Sequence, residues 1–182
     1  MISPLMDTGA SKMIVRRATI DDAADIAWCN MRGWQVGYRG IMPDDFLDSL
    51  DHSQRTENWR KNLSDDGDSK YTLVAQLNGK AVGFATIGPS RDGMNGYDSE
   101  LWAIYVDPDH WGQGIGRALF DRVTRDLKSR GIESTYVWCL RDNHKGRKFY
   151  EAIGGMYLEG ISKKFILNEE PYEEVAYGWR DL

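Results

Sequence analysis

The stretch HWGQGIGRAL, residues 110–119, places Gly112, Gly114 and Gly116 at alternate positions and then runs directly into an amphipathic pattern. Glycine in a helix costs backbone entropy. Its repeated use at a helix start therefore needs a reason: a turn that only glycine makes easily, or a group that comes too close to the backbone for a Cβ. Upstream, LWAIYV (101–106) is apolar almost without alternation, as suits a central strand covered on both faces. Downstream, Ile115, Leu119, Val123 and Leu127 recur at i+4 spacing, which predicts a helix from about Gln113 to Arg130. A strand, a turn, glycines and a helix start together make an anion site. Free N–H groups and the positive end of the helix dipole converge there, and missing Cβ atoms let a pyrophosphate approach.

Outward from this point the chain alternates between strand and helix signals. MIVRRAT (13–19) reads as a strand and IDDAADIAWCNMRGW (20–34) as a helix; a second helical region follows Pro43, with PDDFLDSL and RTENWRKNL. SDDGDSK is a loop by composition. YTLVAQL and AVGFATIG are two strands joined by Asn78-Gly79, a strong hairpin signal. STYVWCL (134–140) is a strand, NHKGRKFYEAI (143–153) a short helix, and strand-like runs lie near 156–167 and 173–180. Residues 1–12 lack periodicity and read as a frayed tail, which leaves residues 13–182 as one α+β domain around a mixed sheet.

Composition narrows the functional classes. A chain of 182 residues with 41% hydrophobic content suits one globular domain. No apolar run approaches the ~20 residues of a membrane span, and no secretory leader is visible. Two cysteines, Cys29 and Cys139, are too few for a disulfide framework; reduced thiols in a cytoplasmic protein are expected. A net charge of −5 argues against sequence-independent nucleic-acid binding. His52, His110 and His144 are scattered without metal-ligand spacing, so no metal is expected. Asp44, Asp45, Asp48 and Asp51 form a charge run, ordinarily a solvated face but able to steer a cationic amine.

Among known anion sites, a Rossmann fingerprint needs G-x-G-x-x-G directly after the strand. Here Arg117 stands at the third glycine position, and five residues separate Val106 from Gly112. No G-x-x-x-x-G-K-S/T string exists for a nucleotide P-loop. VDPDHWGQGIGRAL instead resembles the coenzyme A loop of the GCN5-related N-acetyltransferase (GNAT) family, Q/R-x-x-G-x-G/A. Gly114 and Gly116 match its glycines and Gly112 a frequent extra one, while Trp111 departs from the Q/R position. NHKGRKFYEAIGG is similar to the family's N-x-x-A-x-x-F-Y-x-x-x-G-F, with Asn143, Phe149, Tyr150 and Gly154 in place, Gly146 for alanine and Gly155 for phenylalanine.

The resemblance implies a GNAT-like fold: a mixed, mostly antiparallel sheet of about six to seven strands flanked by about four helices. It implies acetyl transfer from acetyl-coenzyme A to an amine, by direct attack in a ternary complex. Gly112, Gln113, Gly114, Ile115, Gly116 and Arg117 would hold the pyrophosphate, and Asn143 the pantetheine chain. Asn143 also suits a plain helix N-cap. A main-chain N–H within Ile104, Tyr105 and Val106 would polarise the thioester carbonyl. Glu100 matches a frequent base, with its pKa raised by desolvation; the competing reading is a solvated charge at a strand end. Tyr150 matches the family's general acid, and a core tyrosine is its competing role. Trp34 and Tyr38, one helical turn apart, would wall the small-molecule or peptide amine; their competing reading is as ordinary core aromatics. Exposed sheet edges make a homodimer conceivable. Two other classes stay open, a catalytically inactive acyl-coenzyme A sensor and a nucleotide-dependent redox enzyme.

Overall fold

A computed structural model of the protein describes residues 13–182; the tail expected over residues 1–12 lies outside the described residues. A single seven-stranded sheet organises the chain, in the order β1-β2-β3-β4-β5-β7-β6. Its strands are β1 (Ile14–Arg17), β2 (Tyr71–Leu77), β3 (Lys80–Gly88), β4 (Ser99–Val106), β5 (Thr135–Leu140), β6 (Met156–Leu167) and β7 (Glu170–Trp179). Every pairing is antiparallel except β4 with β5. The architecture is the expected α+β fold.

Five helices flank the sheet: α1 (Ala23–Gly37), α2 (Asp44–Asp48), α3 (His52–Ser64), α4 (Ile115–Lys128) and α5 (His144–Ala152). That is one more than the expected four or so, because the region after Pro43 forms two helices. Asp51 ends the turn between them and starts α3 by accepting a hydrogen bond from the Gln54 amide at 2.6 Å. Among the described residues no helix is long and apolar enough to cross a membrane.

The i+4 stripe of α4 does what its spacing requires. Ile115, Leu119, Val123 and Leu127 are all buried and pack with Leu73, Ala75, Val82 and Ala85 on one face of the sheet. Fully burying each such side chain contributes about 1.5–3 kcal/mol. The opposite face is covered by α1 and α3, through Ala23, Ile26, Cys29 and Leu63 against Val74, Ala81 and Phe84. β4 is thus sandwiched between helical layers, which explains its unbroken apolar run. At the β2–β3 turn Asn78 and Gly79 both take positive φ, +50° and +83°, the geometry that makes a two-residue hairpin follow the sheet's twist.

Both thiols lie in this interior. Cys29 is pushed up to about 12 by burial, reinforced by Asp107 and Asp25, and Cys139 to about 12 by burial with Glu174 adding to it. Since the thiolate is the reactive form, neither should react with a disulfide reagent at pH 8 until the protein unfolds; rapid native-state labelling of either would contradict this placement. Leu119→Ala should lower the stability measured by urea unfolding by about 2–5 kcal/mol, the usual range for truncation in a packed core.

Candidate functional site

The site begins where two strands part. β4 and β5 share a ladder only at Ser99–Thr135 and Glu100–Tyr136. Beyond Glu100 the edge of β4 that faces β5 has no ladder partner. A bulge accompanies the parting. Against β3, Thr86 pairs with Ala103 and Ile87 with Leu101, so Trp102 is the extra residue. A bulge of this kind bends its strand and increases the local twist. Trp102 is then fixed by its indole N–H, which donates to the Pro89 carbonyl at 3.0 Å. Its ring lies so close to Gly88 that a Cβ there would stand 2.8 Å from it.

A cavity of about 860 Å³ occupies the gap, walled by the splayed strands, the head of α4, α5, the end of α1 and the β6–β7 hairpin. It brings together Trp34, Tyr38, Ile104, Tyr105, Val106, Gly112, Gly114, Ile115, Gly116, Arg117, Asn143 and Tyr150. Of the residues singled out in the sequence, Gln113 and Glu100 are not on its wall.

The glycines serve two different needs. Gly112 and Gly114 have φ of +77° and +78°, and a Cβ on either would meet nothing within 4 Å. A side chain there is strained by about 1–2 kcal/mol, yet space is open above both. Gly116 has an ordinary φ, and its Cβ would lie 2.9 Å from the Phe149 ring; it lets α4 and α5 close together. Among the described residues the amides of 112 to 117 donate to no carbonyl, so a row of N–H groups meets the positive end of α4. Trp111 pins the turn by donating to the Val106 carbonyl at 2.8 Å. At the position where a polar side chain was expected, its ring instead carries the Lys145 ammonium, 3.9 Å from the centroid.

Asn143 caps α5: its Oδ1 accepts from the Gly146 amide at 3.0 Å. A Cβ on Gly146 would stand 2.5 Å from the Asn143 Nδ2, which accounts for glycine where alanine was expected. Phe149 and Tyr150 diverge as adjacent helical residues must. Phe149 packs under Gly116, and Tyr150 sits on the cavity wall, 8% exposed. Among the described residues the Tyr150 hydroxyl makes no hydrogen bond. Burial, reinforced by Cys139, Tyr105 and Glu174, pushes this phenol well above its ordinary range, so it keeps its proton at neutral pH.

On the far side, the Trp34 indole donates to the Tyr105 hydroxyl at 3.0 Å, and the Tyr38 and Tyr105 hydroxyls are hydrogen-bonded at 2.8 Å. The Trp34 and Tyr38 rings meet edge to face, 5.2 Å apart. Three of the four acidic residues are engaged locally: Arg39 pairs with Asp44 and Asp48, and Asp51 caps α3. Glu100 is fully buried rather than solvated at a strand end. Its Oε1 accepts from the Arg91 guanidinium, and its Oε2 from the Arg91 amide at 2.9 Å and the Tyr136 hydroxyl at 3.0 Å. Sequence reasoning missed several polar or aromatic members of the wall, among them Arg91, Trp138, Lys163 and Glu174. The last two lie on β6 and β7, and only the alternation of those strands could have hinted at which side chains turn inward.

Comparison with known proteins agrees with this geometry. The model of the acetyltransferase (GNAT) family matches residues 33–155. An uncharacterized N-acetyltransferase of Bacillus subtilis, YuaI, is 34% identical over 169 residues, 92% of this chain and 93% of the relative. Among solved structures, the PaiA N-acetyltransferase of Thermoplasma acidophilum, in complex with coenzyme A, has a TM-score of 0.68 at 17% identity, covering 93% of this chain and 99% of that one. YncA of Salmonella typhimurium, a putative acetyltransferase with acetyl-coenzyme A, has a TM-score of 0.66 at 20% identity, covering 93% and 94%. With a family model spanning most of the chain and a relative aligned over nearly its full length, the chain belongs to the acetyltransferase (GNAT) family.

Proposed function

We propose that the protein transfers an acetyl group from acetyl-coenzyme A to an amine, by direct attack within a ternary complex. The observation that carries this reading is the row of amides at residues 112–117, which among the described residues donate to no carbonyl, at the edge of a cavity lined by Gly112, Gly114 to Arg117 and Tyr150. Acetyl-coenzyme A supplies an acetyl group activated as a thioester, and the rest of the chemistry falls to the chain. The 112–117 amides bind the pyrophosphate, and the open space over Gly112 and Gly114 admits it. Asn143 keeps its Nδ2 for the pantetheine arm while its Oδ1 caps α5. A backbone N–H on the unladdered edge of β4, within Ile104 to Val106, donates to the carbonyl oxygen as it gains charge. One such donor is worth roughly 3–4 kcal/mol in acyl transfer.

Tyr150 gives its proton to the departing sulfur. Its raised pKa keeps it protonated, and the nearby sulfur is the group that needs the proton. Cys139, the one thiol on the wall, is protonated at neutral pH, which favours direct attack over an acyl-enzyme. Trp34 and Tyr38 flank the entering amine.

Thiol release from acetyl-coenzyme A across a panel of amines tests the activity; release with none of them would reject it. Tyr150→Phe should lower kcat about a hundredfold while coenzyme A binding, followed by calorimetry, stays unchanged. An unaltered kcat would remove Tyr150 from the reaction. Gly114→Trp, which fills the open space with a strained side chain, should abolish the heat of coenzyme A binding.

A further inference from the structure

We infer that Glu174, on β7, accepts the proton of the incoming ammonium, and that the acceptor is a primary alkylamine with an apolar or aromatic arm. The inference rests on the acetyl-transfer reading and deepens it. Glu174 pairs in register with Leu140 of β5 and Lys163 of β6 and lies on the cavity wall. Its side chain is 19% exposed, and among the described residues its carboxylate accepts no hydrogen bond. The nearest cation, the Lys163 ammonium, stands 3.8 Å away and is already held by Asp92 at 2.7 Å. A half-buried carboxylate with one long, shared ion pair and no hydrogen bond retains lone pairs for a further donor. An ammonium entering between Trp34, Tyr38 and Phe165, all on the same wall, would supply it, while the rings hold its arm.

Glu100, the carboxylate matched by the family pattern, is differently placed. Both its oxygens are occupied by Arg91 and Tyr136, and it is absent from the cavity wall. It serves instead as the anchor of the loop that carries Arg91.

The surroundings of Glu174 suit a base. Burial raises its pKa; Lys163 and Arg91 pull it back, and Asp92 and Glu100 push it up. Cys139 and Tyr150, which also feel its charge, are both protonated at neutral pH. The net result is a carboxylate held above its ordinary range, the direction that strengthens a general base. The protons balance. One ammonium N–H bond breaks and its proton passes to Glu174 and on to solvent. The freed electron pair forms the C–N bond as the C–S bond breaks. Sulfur takes the Tyr150 proton, and the second nitrogen proton replaces it.

Phenethylamine is the probe. In the wild-type protein log kcat/KM should fall at acid pH along a limb set by Glu174, lying above the ordinary carboxylate range. Glu174→Gln should lose that limb and lower kcat at pH 7 about a hundredfold, and Glu174→Asp should keep the limb. Lys163→Ala removes a nearby positive charge and should move the limb to higher pH. Independently of turnover, the Glu174 side-chain carboxyl, observed by 13C NMR and assigned by its loss in Glu174→Gln, should titrate at lower pH once phenethylamine is added to the coenzyme A complex. An acid limb and kcat that survive in Glu174→Gln, or a carboxyl titration indifferent to the amine, would overturn the assignment. If no amine releases thiol, the acetyl-transfer reading falls, while the carboxyl's response to phenethylamine still decides the role of Glu174.

Discussion

The site depends on a ladder that stops. β4 and β5 are joined at two register positions and then diverge, and the point of divergence is reinforced on both sides. Tyr136, opposite Glu100 in the ladder, donates its hydroxyl proton to that carboxylate, and Arg91 closes the other oxygen. On the far edge of β4, the bulge at Trp102 bends the strand away. Unpaired backbone inside a protein is costly, so such a gap persists only where the surrounding structure over-determines it or a ligand completes it. Here the β1–β4 half of the sheet is covered by α4 on one face and by α1 with α3 on the other. The parting is confined to one place, and that place is the cavity.

Much of the fold was legible because its signals were local. The i+4 stripe of α4, the Asn78-Gly79 turn and the apolar run of β4 each rest on a few neighbouring residues and a fixed period, and each was found close to where it was expected. The glycine loop before α4 was legible for the same reason: positive φ at Gly112 and Gly114 is a backbone requirement that leaves glycine in the sequence. Gly116 carries the same letter for another cause. Its partner, Phe149, lies in a different helix, and only the packing of α4 on α5 separates the two kinds of glycine.

The illegible part was long-range. Nothing near Glu100 announces that Tyr136 and Arg91 will enclose it, since one comes from the neighbouring strand and the other from the preceding loop. Glu174 sits in EEVAY, where sequence alone offers two adjacent glutamates and no means of choosing. The register of β7 against β5 chooses: Glu173 pairs with the exposed Arg141 side chain, and Glu174 lies opposite Leu140 at the mouth of the gap. Likewise Lys145 meets Trp111 only because α5 docks beside the turn before α4. Charges that share a cavity need not share a neighbourhood in the chain.

The donor row at the head of α4 is built from main chain, and this shapes how the protein can vary. A contact made by an amide hydrogen is present whatever side chain hangs from the same residue, provided that the chain can still follow its path. Substitutions along the loop are then filtered by conformation rather than by chemistry: Trp111 can replace a polar residue, whereas the left-handed positions at Gly112 and Gly114 leave little choice. Such a binding element tolerates drift over most of its length and concentrates its vulnerability in two atoms that are not there.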